Sequence, residues 1–366
     1  MQRLKSLYKK NQTLLSALSL LLFLYLFFLS LELMGSSLKM FGKEFAKVLI
    51  ENTSNPFVGL FIGILATSLI QSSSSTTSIV VGMVAGGVLN IANAIPIIMG
   101  ANIGTSVTNT IASLAQINRS NEFQRSFSAA IVHDYFNLLA VLVFFPLQIF
   151  TNYLGHGATF LATEFQHIGG TSFLSPVKAI TKPVAHWMIS TSQFPIWVIL
   201  LISLALLLFS LKKMVDSLKV LVVKRAEALF DRYLFKTEVR AFFVGLLLTI
   251  LVQSSSITTS LVVPLAGAGL LTLEQLFPYT LGANIGTTIT AMLAALITQN
   301  ISAIIVAFSH LLFNISGILV FWPLKFLPIK AAKTVTKLAI KNKIFPIAYV
   351  LILFFIIPGL VILLGR

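Results

Sequence analysis

The chain contains the same polar sequence twice, each time inside an apolar stretch. Residues 71–78 read QSSSSTTS and residues 253–260 read QSSSITTS; residues 100–105 and 282–287 both read GANIGT. Both motifs share one offset, 182 residues, and at that offset 26 of the 54 positions from Phe61 to Leu114 match those from Phe243 to Leu296. Pro96 matches Pro278, and after a five-residue deletion His133, Asn137 and Pro146 match His310, Asn314 and Pro323. Self-similarity on this scale means that one structural unit is built twice. Further upstream, 13–33 maps onto 195–215, and the amphipathic stretch 35–55 maps onto 217–237. Each unit therefore reads as a spanning helix, an interfacial helix, a polar-tipped hairpin and two further helices.

The solvent for this fold is lipid. The sequence is 57% hydrophobic and 10% charged, against about 25% charge in soluble domains. The apolar runs at 13–31, 195–211, 303–323 and 344–364 are near or above the length that spans a bilayer. The first run follows a basic start (Arg3, Lys5, Lys9, Lys10) but is long and has no small-residue cleavage site, so a retained helix is expected rather than a signal peptide. The net charge of +15 does not point to nucleic acid. The basic residues sit in short loops between apolar runs, where the positive-inside rule expects them. Cysteine is absent, which excludes disulfides and thiolate metal sites, and the five histidines have no zinc-like spacing.

With the N-terminus in the cytoplasm, the inner pieces 1–12, 115–125, 212–240 and 324–343 hold 20 of the 26 basic residues. That bias supports the orientation. It also has the first hairpin enter from outside and the second from inside. The expected fold is an all-α polytopic membrane protein of two inverted-topology repeats, each with a re-entrant helical hairpin, plus one extra C-terminal helix. Its expected parts are a cytoplasmic N-terminus (1–12), transmembrane repeat 1 (13–150), an extracytoplasmic loop (151–194), transmembrane repeat 2 (195–325), and a basic loop with the final transmembrane helix (326–366).

Eight consecutive polar side chains facing lipid would be costly, and they are tolerated where they line a protein-buried, hydrated cavity. A break at Gln71–Ser74 leaves free N–H groups at the start of a half-helix, which attract anions. The same holds at Gln253–Ser256. Two such tips meeting at the midplane would surround a small ion with uncharged donors. The alternative is that the hydroxyls serve helix packing. In GANIGT, Gly100 and Gly282 permit an unwound segment or close packing, while Asn102, Thr105, Asn284 and Thr287 offer the oxygens that sodium coordination needs. Asp134 alone among eleven acidic residues lies deep in an apolar run, 126–147, with no Lys or Arg deep in a helix to pair with it. A bound cation is its natural partner, and a protonated or structurally hydrogen-bonded carboxyl is the alternative. The second repeat has Leu311 at the matching position. His133 and His310 each precede an Asn, Asn137 and Asn314, by four residues, a spacing that favours a structural hydrogen-bonding face over proton coupling. No GxSxG, HExxH or Walker A sequence is present, so neither an enzyme nor an ATP-driven pump is expected.

The duplicated QSSS motifs, IPIIMGANIGTSVTNT at Ile95–Thr110 and VHDYFN at Val132–Asn137 closely resemble the type II sodium-dependent phosphate cotransporters, including bacterial sodium/phosphate symporters. The resemblance runs from about Thr13 to Pro323. It implies inward transport of inorganic phosphate coupled to sodium, with no other cofactor. It assigns Gln71, Ser72, Ser73, Ser74, Gln253, Ser254, Ser255 and Ser256 to the phosphate and sodium sites, with Ser74 and Ser256 also among the sodium candidates. Asp134 stands where electrogenic members carry an additional sodium ion. The chain departs from animal members in its short, cysteine-free central loop, and from many bacterial members in stopping at Arg366 without a regulatory helical domain. The expectation is a multi-pass symporter of the bacterial cytoplasmic (inner) membrane, working by alternating access, with oligomeric state left open. The alternatives are a sodium-coupled carrier of another small oxyanion or carboxylate, or a passive anion channel.

Overall fold

The structure is a computed structural model, and residues 2–167, 175–191, 194–226 and 235–365 are described. Among them the regular elements are all helical. Among the described residues seven helices are long and apolar enough to cross a membrane: Leu15–Met40, Ile91–Leu114, Ser120–Thr151, Ile196–Met214, Leu273–Thr298, Ile301–Phe321 and Ile344–Leu364. The protein is thus a polytopic, multi-pass membrane protein.

The first sequence unit folds as α1 (Gln2–Met40), α2 (Gly42–Asn52), α3 (Pro56–Ile70), α4 (Ser73–Ala85), α5 (Ile91–Thr105), α6 (Val107–Leu114) and α7 (Ser120–Thr151). Two helices follow, α8 (Tyr153–His167) and α9 (Ser175–Thr191). The second unit folds as α10 (Ile196–Ala226), α11 (Glu238–Val252), α12 (Ser255–Gly267), α13 (Leu273–Thr298) and α14 (Ile301–Phe321). The chain ends with α15 (Phe326–Lys341), α16 (Ile344–Leu351), a π-helical turn (Ile352–Ile356) and α17 (Ile357–Leu364). Helix ends fall at matched positions: Ile70 and Val252, Ser73 and Ser255, Ile91 and Leu273. Part of 217–237, expected as an interfacial helix, lies outside the described residues.

The stretch 151–194, expected as a loop, is largely helical. Ala158 and Ala162 on α8 are fully buried, and Phe165 stacks edge-on against Phe308 of α14 at 5.8 Å. Small residues on one face, not a long apolar run, let α8 pack, so the hydropathy pattern did not single it out. Repeat 1 also differs from repeat 2 at Ser106, which separates α5 from α6, whereas α13 runs unbroken.

Small residues set the closest helix contacts. Gly59 lies against Pro96 and Gly104 against Thr67, so α3 and α5 run in the same direction. Gly245 lies against Tyr279 and Gly286 against Thr249, so α11 and α13 do likewise. A Cβ on Gly100 would collide with the Leu60 carbonyl, and one on Gly282 with that of Phe242. Close backbone approach through small residues is how helices associate when lipid supplies no hydrophobic drive. The GANIGT glycines therefore pack α5 and α13 as unbroken helix at those positions rather than as unwound segments.

Candidate functional site

The polar motifs sit at the breaks between α3 and α4 and between α11 and α12. Gln71 (φ 56°) and Gln253 (φ 57°) adopt the left-handed conformation, and their N–H groups close the preceding helices on Thr67 and Thr249. For a non-glycine residue this conformation costs about 1–2 kcal/mol, and its presence at both breaks marks a geometry held by its surroundings. Ser72 and Ser254 then cap the next helices: their hydroxyls accept the N–H of Ser75 at 3.2 Å and of Ile257 at 3.4 Å. The N–H groups of Ser73, Ser74, Ser255 and Ser256 belong to the first turns of α4 and α12, where no intrahelical acceptor exists.

The two breaks meet. Ser74 Oγ donates to the Gln253 carbonyl at 3.3 Å, across 179 residues. Gln71, Ser72, Ser74, Gln253, Ser254 and Ser256 line one cavity of about 480 Å³, together with Ser75, Thr108 and Ile257. Ser73 and Ser255 are buried elsewhere; their carbonyls accept the hydroxyls of Thr77 and Thr259. Gln253 is held by Thr290, whose hydroxyl donates to Gln253 Oε1 at 2.7 Å. The matching Thr108 has a buried hydroxyl with no partner. Thr108 and Thr290 also match at the 182-residue offset, which is the signal that marks them in the sequence.

Lys212 and Asp216 of α10 line the same cavity. A cation therefore stands beside tips expected to offer only uncharged donors. Lys212 follows the apolar run 195–211 and reads as a membrane-edge residue; only the packing of α10 brings it beside motifs that begin 141 and 41 residues away.

The GANIGT asparagines enter a different arrangement. His133 Nε2 is 2.7 Å from Asn284 Oδ1, and Asn284 Nδ2 donates to Asn137 Oδ1 at 2.8 Å. The mirror set has His310 Nε2 at 2.9 Å from Asn102 Oδ1 and Asn102 Nδ2 donating to Asn314 Oδ1 at 2.6 Å. Each histidine–asparagine pair thus clasps the asparagine of the other half. Asn137 Nδ2 also donates to the Asn102 carbonyl at 2.8 Å. Neither Asn102 nor Asn284 lines the cavity, and their amide groups are engaged within this buried network. Thr105 and Thr287 donate back to the Ala101 and Ala283 carbonyls. The sequence-expected sodium oxygens of GANIGT are therefore not gathered at the cavity.

Asp134 is fully buried. Its Oδ2 accepts Thr110 Oγ1 at 3.2 Å and the Tyr349 hydroxyl at 3.0 Å, while Oδ1 accepts no hydrogen bond. At the matching positions of the second half stand Met292 and Leu311. The group is built in one half only, and α16, outside the repeated units, contributes to it. Asn109 joins the regions: it lies 3.4 Å from His133 Nδ1 and accepts the Thr259 hydroxyl at 2.9 Å. The C-terminal ends of the short helices are tied crosswise as well. Asn300 Nδ2 donates to the Ala85 carbonyl at 3.4 Å, and Arg125 Nε to the Gly267 carbonyl at 2.8 Å.

The chain is 36% identical to the sodium-dependent phosphate transport protein 2A of Ovis aries, over 98% of the chain and 69% of that protein. It is 33% identical to the sodium-dependent phosphate transport protein 2B of Homo sapiens, over 93% of the chain and 64% of that protein. The chain spans about two thirds of the length of these relatives. No solved structure matches it. The Na+/Pi-cotransporter family model covers residues 26–168 and 206–321, which include both polar breaks, both asparagine clasps and Asp134, so the chain belongs to the Na+/Pi-cotransporter family.

Proposed function

We propose that this protein is a sodium-coupled symporter that moves inorganic phosphate by alternating access, with the two motif tips forming one phosphate site. The observation that carries this is the contact of Ser74 with the Gln253 carbonyl, which joins the tips around a single cavity. Two 13-residue helices begin there, so their N-terminal N–H groups and dipoles favour an anion. The hydroxyls of Ser72, Ser254 and Ser256, which accept N–H groups or are unengaged, add donors. A cavity of this size is ordinary for a small-molecule site. The relatives' names, sodium-dependent phosphate transport proteins, agree with an anion of this class and with sodium as the coupling ion.

The re-entrant reading of the two hairpins draws support from the packing. Asn93, near the start of α5, donates to Thr53 Oγ1 at 2.9 Å and to the Ile50 carbonyl at 2.9 Å, beside the start of α3. Had α4 continued along α3, Ala85 would lie roughly 40 Å from Pro56. The six steps from Ala85 to Ile91 reach at most ~21 Å. Hence α4 folds back beside α3, and Gln71 is a tip. Gln275 Nε2, donating to the Phe235 carbonyl at 3.0 Å, sets the same constraint on α11 and α12.

Coupling follows from charge. Carrying an anion into a negative-inside cell costs about 2.3 kcal/mol per charge per 100 mV, and each co-transported sodium offsets a similar amount while falling down its own gradient. Asp134, with one oxygen free of hydrogen bonds and the hydroxyls of Thr110 and Tyr349 beside it, has the donor chemistry of a sodium site. A sodium ion held there in addition to those that balance the phosphate charge makes transport electrogenic. The placement is a bacterial cytoplasmic membrane with the N-terminus inside. Radiolabelled phosphate binding to purified protein tests the reading. Binding should be saturable in sodium, weak in potassium, displaced by arsenate and not by sulfate or succinate, and lost in Ser74→Leu and Ser256→Leu. Equal binding in both cations, or displacement by succinate, would overturn it.

A further inference from the structure

The two halves close differently over their tips. In the first half, Leu31 and Met34 of α1 pack against Gly82 of α4, and Leu38 packs against Gly86, so an apolar helix face seals that flank. At the 182-residue offset, Ser30, Leu31 and Met34 become Lys212, Lys213 and Asp216, and Gly82 and Gly86 become Pro264 and Ala268. That face of α10 does not seal: Leu208, Leu211, Lys212 and Asp216 line the cavity instead, together with residues of both breaks. Lys213, the neighbour of Lys212, is turned away, with its ammonium 5.9 Å from the centre of the Phe209 ring. Lys212 is thus the one Lys or Arg side chain among the described residues that lines this cavity.

From this juxtaposition we propose that Lys212 is a phosphate-binding residue of the transport path, holding the anion at the mouth of the cavity as it enters or leaves the paired tips. The proposal rests on the phosphate reading above. The tips offer only uncharged donors, which suit an anion accompanied by sodium. At the open flank a lysine supplies a mobile point charge on a four-carbon stem, able to follow the anion between the tips and water. Asp216, one helical turn further on, lines the same cavity. At the matching positions of the first half stand Ser30 and Met34, so the sealed flank and the open one differ in chemistry.

The absence of native cysteine makes the test direct, because Lys212→Cys introduces the sole thiol. Phosphate binding is measured on the purified full chain in sodium. Lys212→Cys should bind phosphate about tenfold more weakly, the size expected of one lost charge-assisted contact. Treatment with 2-aminoethyl methanethiosulfonate, which restores a positive charge, should recover most of that loss, and the neutral methyl reagent should not. Phosphate should also slow the labelling. Wild-type affinity in Lys212→Cys, or equal effects of the two reagents, would overturn the proposal while leaving the phosphate reading intact. If wild-type protein binds no phosphate in sodium, both fall. Should Lys212→Cys fold poorly by size exclusion, the pair Lys212→Arg and Lys212→Gln reads the same quantity: near-native affinity in the first and a tenfold loss in the second support it, and equal affinity in the two overturns it.

Discussion

His133 of α7 and Asn284 of α13 stand 2.7 Å apart, and His310 of α14 and Asn102 of α5 repeat the contact at 2.9 Å. The histidine of each half holds the asparagine of the other. Asn284 Oδ1 can only accept, so His133 donates through Nε2, leaving Nδ1 to accept from Asn109; the imidazole is neutral in this arrangement. These groups are buried in the protein interior, where an unpaired polar group is costly. The clasp joins the halves and fixes the platform against which the short helices rest.

Truncating one partner of the clasp should therefore cost stability. His133→Ala leaves the Asn284 carbonyl oxygen without its donor, a loss of about 1–3 kcal/mol. His133→Ala and Asn284→Ala should each lower the thermal midpoint in detergent, and the double variant should fall by clearly less than their sum. Strict additivity would show that the two residues do not act as a pair.

Gln71 and Gln253 separate strain from function. Glycine adopts the left-handed conformation without the Cβ penalty, so Gln253→Gly should melt no lower than wild type by more than the loss of its two side-chain hydrogen bonds, from Thr290 and to the Ile250 carbonyl, about 1 kcal/mol each. Phosphate affinity should nonetheless fall severalfold, because Gln253 lines the cavity. A variant with native affinity would remove the side chain from the site.

The Asp134 group should govern sodium. Asp134→Asn removes the charge and keeps the shape, so half-maximal sodium should rise and the charge moved per phosphate should drop. Tyr349→Phe removes one hydroxyl from Oδ2 and should raise the sodium requirement by a smaller amount with charge movement retained. Uptake measured against sodium concentration, with current recorded in parallel, reads both. An unchanged sodium curve in Asp134→Asn would return this carboxyl to a structural role.

Close packing makes its own demand. Gly100→Ala should prevent folding or cost more than about 3 kcal/mol, since the added methyl meets the Leu60 backbone and not a flexible side chain. Size-exclusion profiles of Gly100→Ala beside Gly35→Ala, where nothing lies within 4 Å of the added carbon, give the comparison.

Much of this was legible in the sequence because repetition needs no tertiary knowledge. The common offset marked the breaks at Gln71 and Gln253, and the lone Asp134 stood out against its apolar surroundings. What the sequence did not carry was which repeated residues face one another. Asn102 and Asn284 have the oxygens of an ion site, yet packing turns them to His310 and His133, more than 150 residues away. Tyr349 and Lys212 carry no local signal, because each reaches its place only through the packing of a whole helix. Helices α8 and α9 lack the long apolar run by which the other membrane helices are read.

Sodium-driven accumulation of radiolabelled phosphate in liposomes of the purified protein tests the central claim most directly. With sodium outside, phosphate should rise inside above the external concentration, and dissipating the sodium gradient should abolish the rise. Equal accumulation with potassium outside, or entry that stops at equilibrium in either cation, would contradict a sodium-coupled carrier.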